Sequence, residues 1–325
     1  MKIPGLTLVL LCSLCLTAAC SSAPAPQRPS TASWAASPPD LDLEIGDGDA
    51  LFLGAGDIAA CGHSATARAT GDLVRHFPDA TVFTTGDNAY LNGTTSQFLE
   101  CYEPVWGSFK ERTRPTPGNH DYGIYPPSRR NNAVPYFQYF GDNAGSVGLG
   151  YYSYDLGGWH IVSLNSMAGQ KKSLPSMEDQ LKWLEEDLES TDKACILAYW
   201  HHPLYSSGYH GFDKKDPGRD VKPLWDVLYK HGADVILTGH DHHYERFERL
   251  DPAGRPDPKG LLQFIVGTGG KEITPIRKEL PASDKILDGG NAFGILVMAL
   301  RPGGYEWRFL RTDGTAGDSG SADCH

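Results

Sequence analysis

Val235-Ile236-Leu237-Thr238 runs directly into Gly239-His240-Asp241-His242-His243, and this junction sets how the rest of the chain is read. Consecutive apolar and β-branched residues closed by glycine read as a strand buried on both faces, because a half-exposed strand would alternate. Residues two apart on extended backbone point to the same side, so His240 and His242 can aim two imidazoles at one centre.

The same arrangement recurs along the sequence. Leu51 to Gly54 precedes Asp57, Thr81 to Thr84 precedes Gly86-Asp87, Cys195 to Trp200 precedes His201-His202, and Leu262 to Val266 precedes Gly267-Thr268-Gly269-Gly270. Further strands are expected at Tyr151 to Asp155, Trp159 to Asn165, Phe293 to Leu300 and Tyr305 to Leu310. Helices are expected from Ala65 to His76 and from Pro223 to Lys230. A third follows the capping-box pattern Ser176-Met177-Glu178-Asp179, with Leu181, Leu184 and Leu188 at helical spacing. Strands alternating with helices, with hairpin strands mixed in, predict an α/β fold (mixed α+β) of two sheets flanked by helices. Gly123 to Gly150, rich in Pro, Asn, Tyr and Gly, reads as a long irregular excursion rimming a site.

Ligands in α/β folds bind beyond the carboxyl ends of strands. Asp57, Asp87, His201, His240 and His242 all sit there, and Gly118-Asn119-His120-Asp121 adds an amide, an imidazole and a carboxylate. Each piece is common alone, since Gly-Asp is an ordinary turn dipeptide. Together they form a set of hard oxygens and imidazoles suited to Mn, Fe or Zn. No Cys-x-x-Cys occurs after Cys20, which excludes a zinc-finger reading.

In this order the motifs resemble those of the calcineurin-like metallophosphoesterase superfamily: Asp, then Gly-Asp, then Gly-Asn-His-Asp, then a strand-end His, then Gly-His-x-His. Gly86-Asp87-Asn88-Ala89-Tyr90 is similar to the purple acid phosphatase variant, whose tyrosine binds ferric iron. The likeness runs from about Leu51 to Leu310 and implies a four-layer αββα sandwich of two mixed β-sheets. It implies a first metal between Asp57, Asp87, Tyr90 and His242, and a second between Asp87, Asn119, His201 and His240, with Asp87 shared. The pair would be iron with iron, zinc or manganese. His120 would contact substrate with Asp121 as its orienting partner. His210, on the Ser206–Gly211 loop, would face the phosphate and protonate the leaving group. The resemblance implies an acid-phosphatase-like hydrolase of small phosphomonoesters, in which metal-activated hydroxide attacks phosphorus. A phosphodiesterase or cyclic-nucleotide hydrolase on the same scaffold is the enzymatic alternative. A metal-retaining surface lipoprotein without catalysis is the alternative from another class. One departure is Asp57-Ile58-Ala59, where the family reads Asp-x-Gly. The role of His202 is left open, and His243 and His63 are expected to support the site or face solvent.

Met1-Lys2, the apolar run Leu6 to Leu16 and Thr17-Ala18-Ala19-Cys20 describe an export signal over residues 1–20. That run is too short to span a bilayer, which takes about 20 residues. Cys20 after Ala18-Ala19 resembles the lipobox of bacterial lipoproteins, which implies a lipid on Cys20 and anchoring at the cell envelope; without the lipid the chain would be periplasmic or secreted. Residues 21–45 read as a Ser/Ala/Pro-rich tether, 46–312 as the catalytic domain, and 313–325 as a loose tail. In an oxidising compartment the four remaining cysteines allow three pairings, of which Cys61 with Cys101 and Cys195 with Cys324 is the expected one. The balance of 40% hydrophobic and 21% charged residues over 325 positions excludes disordered, collagenous and coiled-coil chains. A net charge of −11 argues against binding a nucleic-acid backbone. Oligomeric state stays open.

Overall fold

The computed structural model describes residues 43, 45–123, 131–171 and 174–325. The export signal, Cys20 and most of the tether lie outside the described residues.

Two mixed sheets form the body. The first runs in the order β15 (Ala316–Asp323), β14 (Gly304–Arg311), β13 (Gly294–Arg301), β1 (Ala50–Gly54), β3 (Thr81–Thr85), β5 (Thr113–Thr116). The second runs β12 (Ser283–Leu287), β10 (Tyr244–Leu250), β11 (Leu261–Val266), β9 (Val235–Thr238), β8 (Cys195–Tyr199), β7 (Trp159–Ser163), β6 (Tyr152–Leu156). A short parallel pair, β2 (Ala59–Ala60) with β4 (Ala89–Tyr90), stands beside them. The parallel cores β1-β3-β5 and β7-β8-β9-β11 are flanked by antiparallel strands. The helices are α1 (Ser64–Arg75), α2 (Thr95–Gln97), α3 (Glu103–Trp106), α4 (Val134–Phe140), α5 (Met177–Ser190) and α6 (Lys222–Lys230).

The continuous apolar runs are explained by layering. Successive strand residues point to opposite faces, and here both faces are covered. Leu53, Val82, Ile295 and Val297 pack with Val74, Trp106 and Tyr136 on the helical side. Their neighbours Phe52, Phe83, Leu296 and Met298 turn inward onto Tyr199, Leu237 and Phe264 of the second sheet. That sheet's other face, through Ile196, Ala198, Ile236 and Ile265, meets Leu184, Leu188, Trp225 and Leu228 of α5 and α6. Each such residue, fully buried, contributes about 1.5–3 kcal/mol. The outcome is the αββα sandwich.

Two expectations are corrected. The tail is not loose: Ala316–Asp323 is edge strand β15, paired antiparallel with β14. An edge strand of small residues holds through backbone bonds, and here Asp318 adds an anchor, accepting from Tyr244 Oη and Arg246 Nε, both at 2.7 Å. Cys324 just beyond is joined to Cys195 at the start of β8. The 123–150 excursion is partly helical, since Val134–Phe140 forms α4 and buries Tyr136, Phe137 and Phe140 against the first sheet's helical layer. Cys61 is joined to Cys101, tying the turn after β2 to the helical segment beyond α2. Ser176 Oγ caps α5 by accepting from Asp179 N. The reciprocal capping box forms instead at Thr94 and Gln97. No helix among the described residues is long and apolar enough to cross a membrane.

Candidate metal centre

The loops leaving β1, β3, β5, β8 and β9 meet at one edge of the sandwich. Three residues there take left-handed backbone without being glycine: Asp57 (φ 58°), Asp87 (φ 51°) and His240 (φ 68°). Such positions persist only where neighbours enforce them. Asp57 N donates to Gly86 O at 3.0 Å, and His240 N donates to Asp57 Oδ2 at 2.9 Å. Ala59, where the family reads glycine, lies in extended β2 opposite Ala89, a conformation that suits any L-residue. Glycine is needed elsewhere. A Cβ on Gly118 would stand 2.1 Å from Asp87 Oδ1, and one on Gly86 2.7 Å from His201 Nδ1.

The donor atoms fall into two groups. In the first, Asp57 Oδ1 lies 2.8 Å from Tyr90 Oη and 3.4 Å from His242 Nε2, and Tyr90 Oη lies 3.3 Å from His242 Nε2. In the second, His201 Nε2 lies 2.9 Å from Asn119 Oδ1, 3.1 Å from His240 Nδ1 and 3.4 Å from Asp87 Oδ2. Asp87 stands between them: ligand atoms of Asp57, Asp87 and His201 all lie within 4.8 Å of one another.

The outer nitrogens decide what this cluster can hold. His201 Nδ1 donates to Thr85 O and His242 Nδ1 to Glu272 O, each at 2.8 Å. A carbonyl only accepts, so the proton sits on Nδ1 and the Nε2 lone pair points inward. His240 is turned the other way, with Nε2 2.8 Å from Asp216 Oδ2 and Nδ1 inward. With both rings neutral, two inward lone pairs, on His201 and His240, would face each other at 3.1 Å. Carboxylate, amide and imidazole acceptors converging on one place are what a bound cation satisfies, and outer hydrogen bonds of this kind orient metal-binding imidazoles. The residues present fit a pair of metal ions.

The electrostatics agree. Burial opposes ionisation of Asp87, but the imidazoles of His201 and His120 outweigh it and hold its carboxyl well below the usual range. Burial likewise opposes ionisation of Asp57, and His242 reverses it. Burial would depress His201, yet Asp87 and Asp57 push it up to about 9, so at neutral pH its inward nitrogen carries a proton that a bound cation would displace. Burial and the charges of Asp57 and Asp87 hold the Tyr90 phenol well above its ordinary value, so the phenol ionises only if a cation compensates.

The sequence profile of the family described as calcineurin-like phosphoesterase matches residues 50–244, a span that contains every one of these donors. The chain belongs to that family. It is homologous to purple acid phosphatases: 30% identical over 247 residues to purple acid phosphatase 15 of Arabidopsis thaliana, covering 66% of this chain and 45% of that protein. Against acid phosphatase type 7 of Mus musculus it is 30% identical over 244 residues, covering 65% and 52%. The chain thus spans about half the length of the curated relatives it matches. In fold it is similar to purple acid phosphatase PPD1 from yellow lupin (Lupinus luteus) seeds, with TM-score 0.67, 19% identity, and coverage of 85% of this chain and 54% of that one. GAP50 of Plasmodium shares the fold at TM-score 0.62 and 15% identity, covering 87% and 90%.

Around this cluster the remaining expected residues divide. His120 stays at the site: its N donates to Asp87 Oδ1 at 2.8 Å, and its Nε2 lies 3.8 Å from Asp87 Oδ2. Its orienting partner differs from the expected one. His120 Nδ1 donates to Leu91 O at 2.7 Å, while the Asp121 carboxylate faces backbone. It accepts from Gly118 N, Asn88 N, Asn88 Nδ2 and Ala89 N, clamping the two loops that carry Asp87 and Asn119. Burial and the Asp87 charge push Asp121 up to about 7, against the N–H donors of Gly118 and Asn88.

His210 reaches the site's edge, its ring centroid 3.9 Å from that of His240 and its Nδ1 2.7 Å from Asp216 Oδ2. Burial works against its charge, but Asp216 and Asp241 raise its pKa. His202 is fully buried, with Nδ1 2.8 Å from Ser166 Oγ and its ring 4.2 Å from His240; burial, then the charges of His240 and His201, keep it neutral. His243 bonds Glu245 at 2.9 Å, and Glu245 holds Ser207 N at 3.0 Å. His63 is half exposed, 3.6 Å from Glu272. Sequence reasoning missed Asp216, which sits in Asp213–Asp220 without motif or periodicity, and Ser166, which no spacing ties to His202.

Proposed function

We propose that this chain is an exported hydrolase of phosphomonoesters that works with two metal ions sharing Asp87. The observation that carries the reading is the position of Asp87 between one donor set of Asp57, Tyr90 and His242 and another of Asn119, His201 and His240. Homologues named as acid phosphatases support the substrate class. When bound, two such ions would supply positive charge for phosphoryl oxygens and lower the pKa of bound water to about 7.

The chain's own residues do the rest. Asp57, Asp87, Asn119 and the imidazoles of His201, His240 and His242 would hold the cations in place, so little rearrangement would accompany the reaction. His120, fixed by Leu91 O, presents Nε2 beside Asp87 to the phosphoryl oxygens. His210, fixed through Nδ1, has Nε2 left to protonate the departing oxygen. As the bond from phosphorus to the alcohol oxygen breaks, that proton passes to the alkoxide, leaving alcohol and neutral imidazole. A cavity of about 380 Å³ beside His210, walled by Pro203, Leu204, Tyr205, Asp216 and Leu280, offers room for the alcohol portion.

The test is metal content of protein purified from its own host, paired with turnover of aryl phosphate and bis-aryl phosphate. Two ions per chain with faster monoester cleavage supports the proposal. Faster diester cleavage would transfer the site to phosphodiesterases, and retained metal with neither activity would make it a binding protein. Mass spectrometry of the processed amino terminus tests lipidation at Cys20 and, with it, membrane anchoring.

A further inference from the structure

Asp216 opens the turn Pro217–Val221, and both of its carboxylate oxygens are committed. Oδ1 accepts from Gly218 N at 2.8 Å and so caps that turn. Oδ2 accepts from His210 Nδ1 at 2.7 Å and from His240 Nε2 at 2.8 Å. The side chain is only 7% exposed, so water does not compete for these bonds. One oxygen thereby sets two tautomers. It leaves His240 with its Nδ1 lone pair facing His201, and leaves His210 with Nε2 free on a side chain 35% exposed. The rings lie against each other at 3.9 Å with 41° between planes, so neither can turn without disturbing the other.

We infer that Asp216 is a positioning residue that couples the second donor set to the proton donor, holding His240 for a metal and His210 for the leaving group through one carboxylate oxygen. A third cation between His210, Asp216 and His240 is the competing use of the same atoms, which lie within 4.8 Å of one another. That use would need His240 Nε2 as a lone pair and so would put its proton on Nδ1, spoiling the inward-facing donor. The hydrogen-bonded arrangement serves both histidines at once. Oriented imidazoles of this kind lose about 10–100-fold in metal affinity when the outer partner is removed.

The inference rests on the phosphatase reading for its leaving-group arm, and the metal arm stands without it. In Asp216→Ala, metal per chain, measured after dialysis against a graded chelator, is expected to fall from two towards one at about 10–100-fold lower chelator concentration. Turnover of an alkyl phosphate, which needs a proton donor, should fall at least about tenfold further than turnover of dinitrophenyl phosphate, which does not. In a His210→Ala background, adding Asp216→Ala should leave that alkyl-to-aryl ratio unchanged, because the donor is already gone. Asp216→Asn keeps one acceptor oxygen and should recover part of both losses; it also serves if the alanine variant melts too low to assay. Normal metal retention together with an equal loss on both esters would overturn the inference and leave Asp216 as a loop cap. If the wild type cleaves neither ester, the phosphatase reading fails, and metal retention alone decides Asp216.

Discussion

Asp57, Tyr90 and His242 offer two acidic oxygens and one imidazole, whereas Asn119, His201 and His240 offer an amide oxygen and two imidazoles. The first set can carry nearly two negative charges of its own, and the second carries only its share of Asp87. If two ions bind as proposed, charge-matched coordination would favour a more highly charged cation at the first set and an ordinary divalent one at the second. The sets also differ in support. His242 leans on a backbone carbonyl, while His240 leans on the carboxylate of Asp216. A site can thus be symmetric in geometry and unequal in electronics.

That inequality gives a graded set of expectations. Asp87→Asn should act on both sets together, lowering kcat/KM by about 10³-fold or more and metal content towards zero. Two ions retained per chain would break the shared role. His201→Ala should cost on the order of 10²-fold by emptying the second set, while Tyr90→Phe costs roughly tenfold and, if the first set holds Fe(III), abolishes a visible tyrosinate absorption. Equal losses without any spectral change would erase the distinction between the sets. Asp121→Ala should lower stability by about 3 kcal/mol in urea unfolding, because several buried N–H groups lose their acceptor, and weaken metal retention indirectly.

The smallest effect serves as a control far from the centre. His160 in β7 is held between Asp155 at 3.0 Å and Asp187 at 2.9 Å. Burial disfavours its charge, but these bonds raise its pKa above the ordinary 6.5. A raised histidine stabilises fully below its unfolded value and loses the contribution as pH rises through the folded one. The Tm gap between wild type and His160→Gln should be widest below the ordinary histidine value of about 6.5 and shrink as pH rises above it, with metal content and turnover unchanged. A gap that widens with pH would contradict the assignment.

Much of this was legible before any coordinates. Val235–Thr238 and Cys195–Tyr199 announce themselves because a strand covered on both faces must be apolar throughout, and their polar successors are then confined to strand ends. Thr113–Thr116 was missed since its Arg and Pro belong to an edge strand, where a missing N–H goes unnoticed. Ala316–Asp323 was hidden by small polar composition, although Asp318 within it accepts from Arg246, Tyr244 and Trp307. At the centre, donors adjacent to glycine or in His-x-His spacing could be read, while Asp216 could not. It arrives through a loop whose path only tertiary contacts fix, and nothing local distinguishes it from Asp213 or Asp220.

Gly86, Gly118 and Gly239 bring neither charge nor lone pair to the reaction, yet an added methyl at Gly239 would sit 2.5 Å from Asp57 Oδ2 just as one at Gly118 would crowd Asp87. A saturation screen of this chain should therefore find chemically silent positions as intolerant as the proposed ligands themselves. Redesign of its metal preference has to begin by leaving the empty space around the carboxylates untouched.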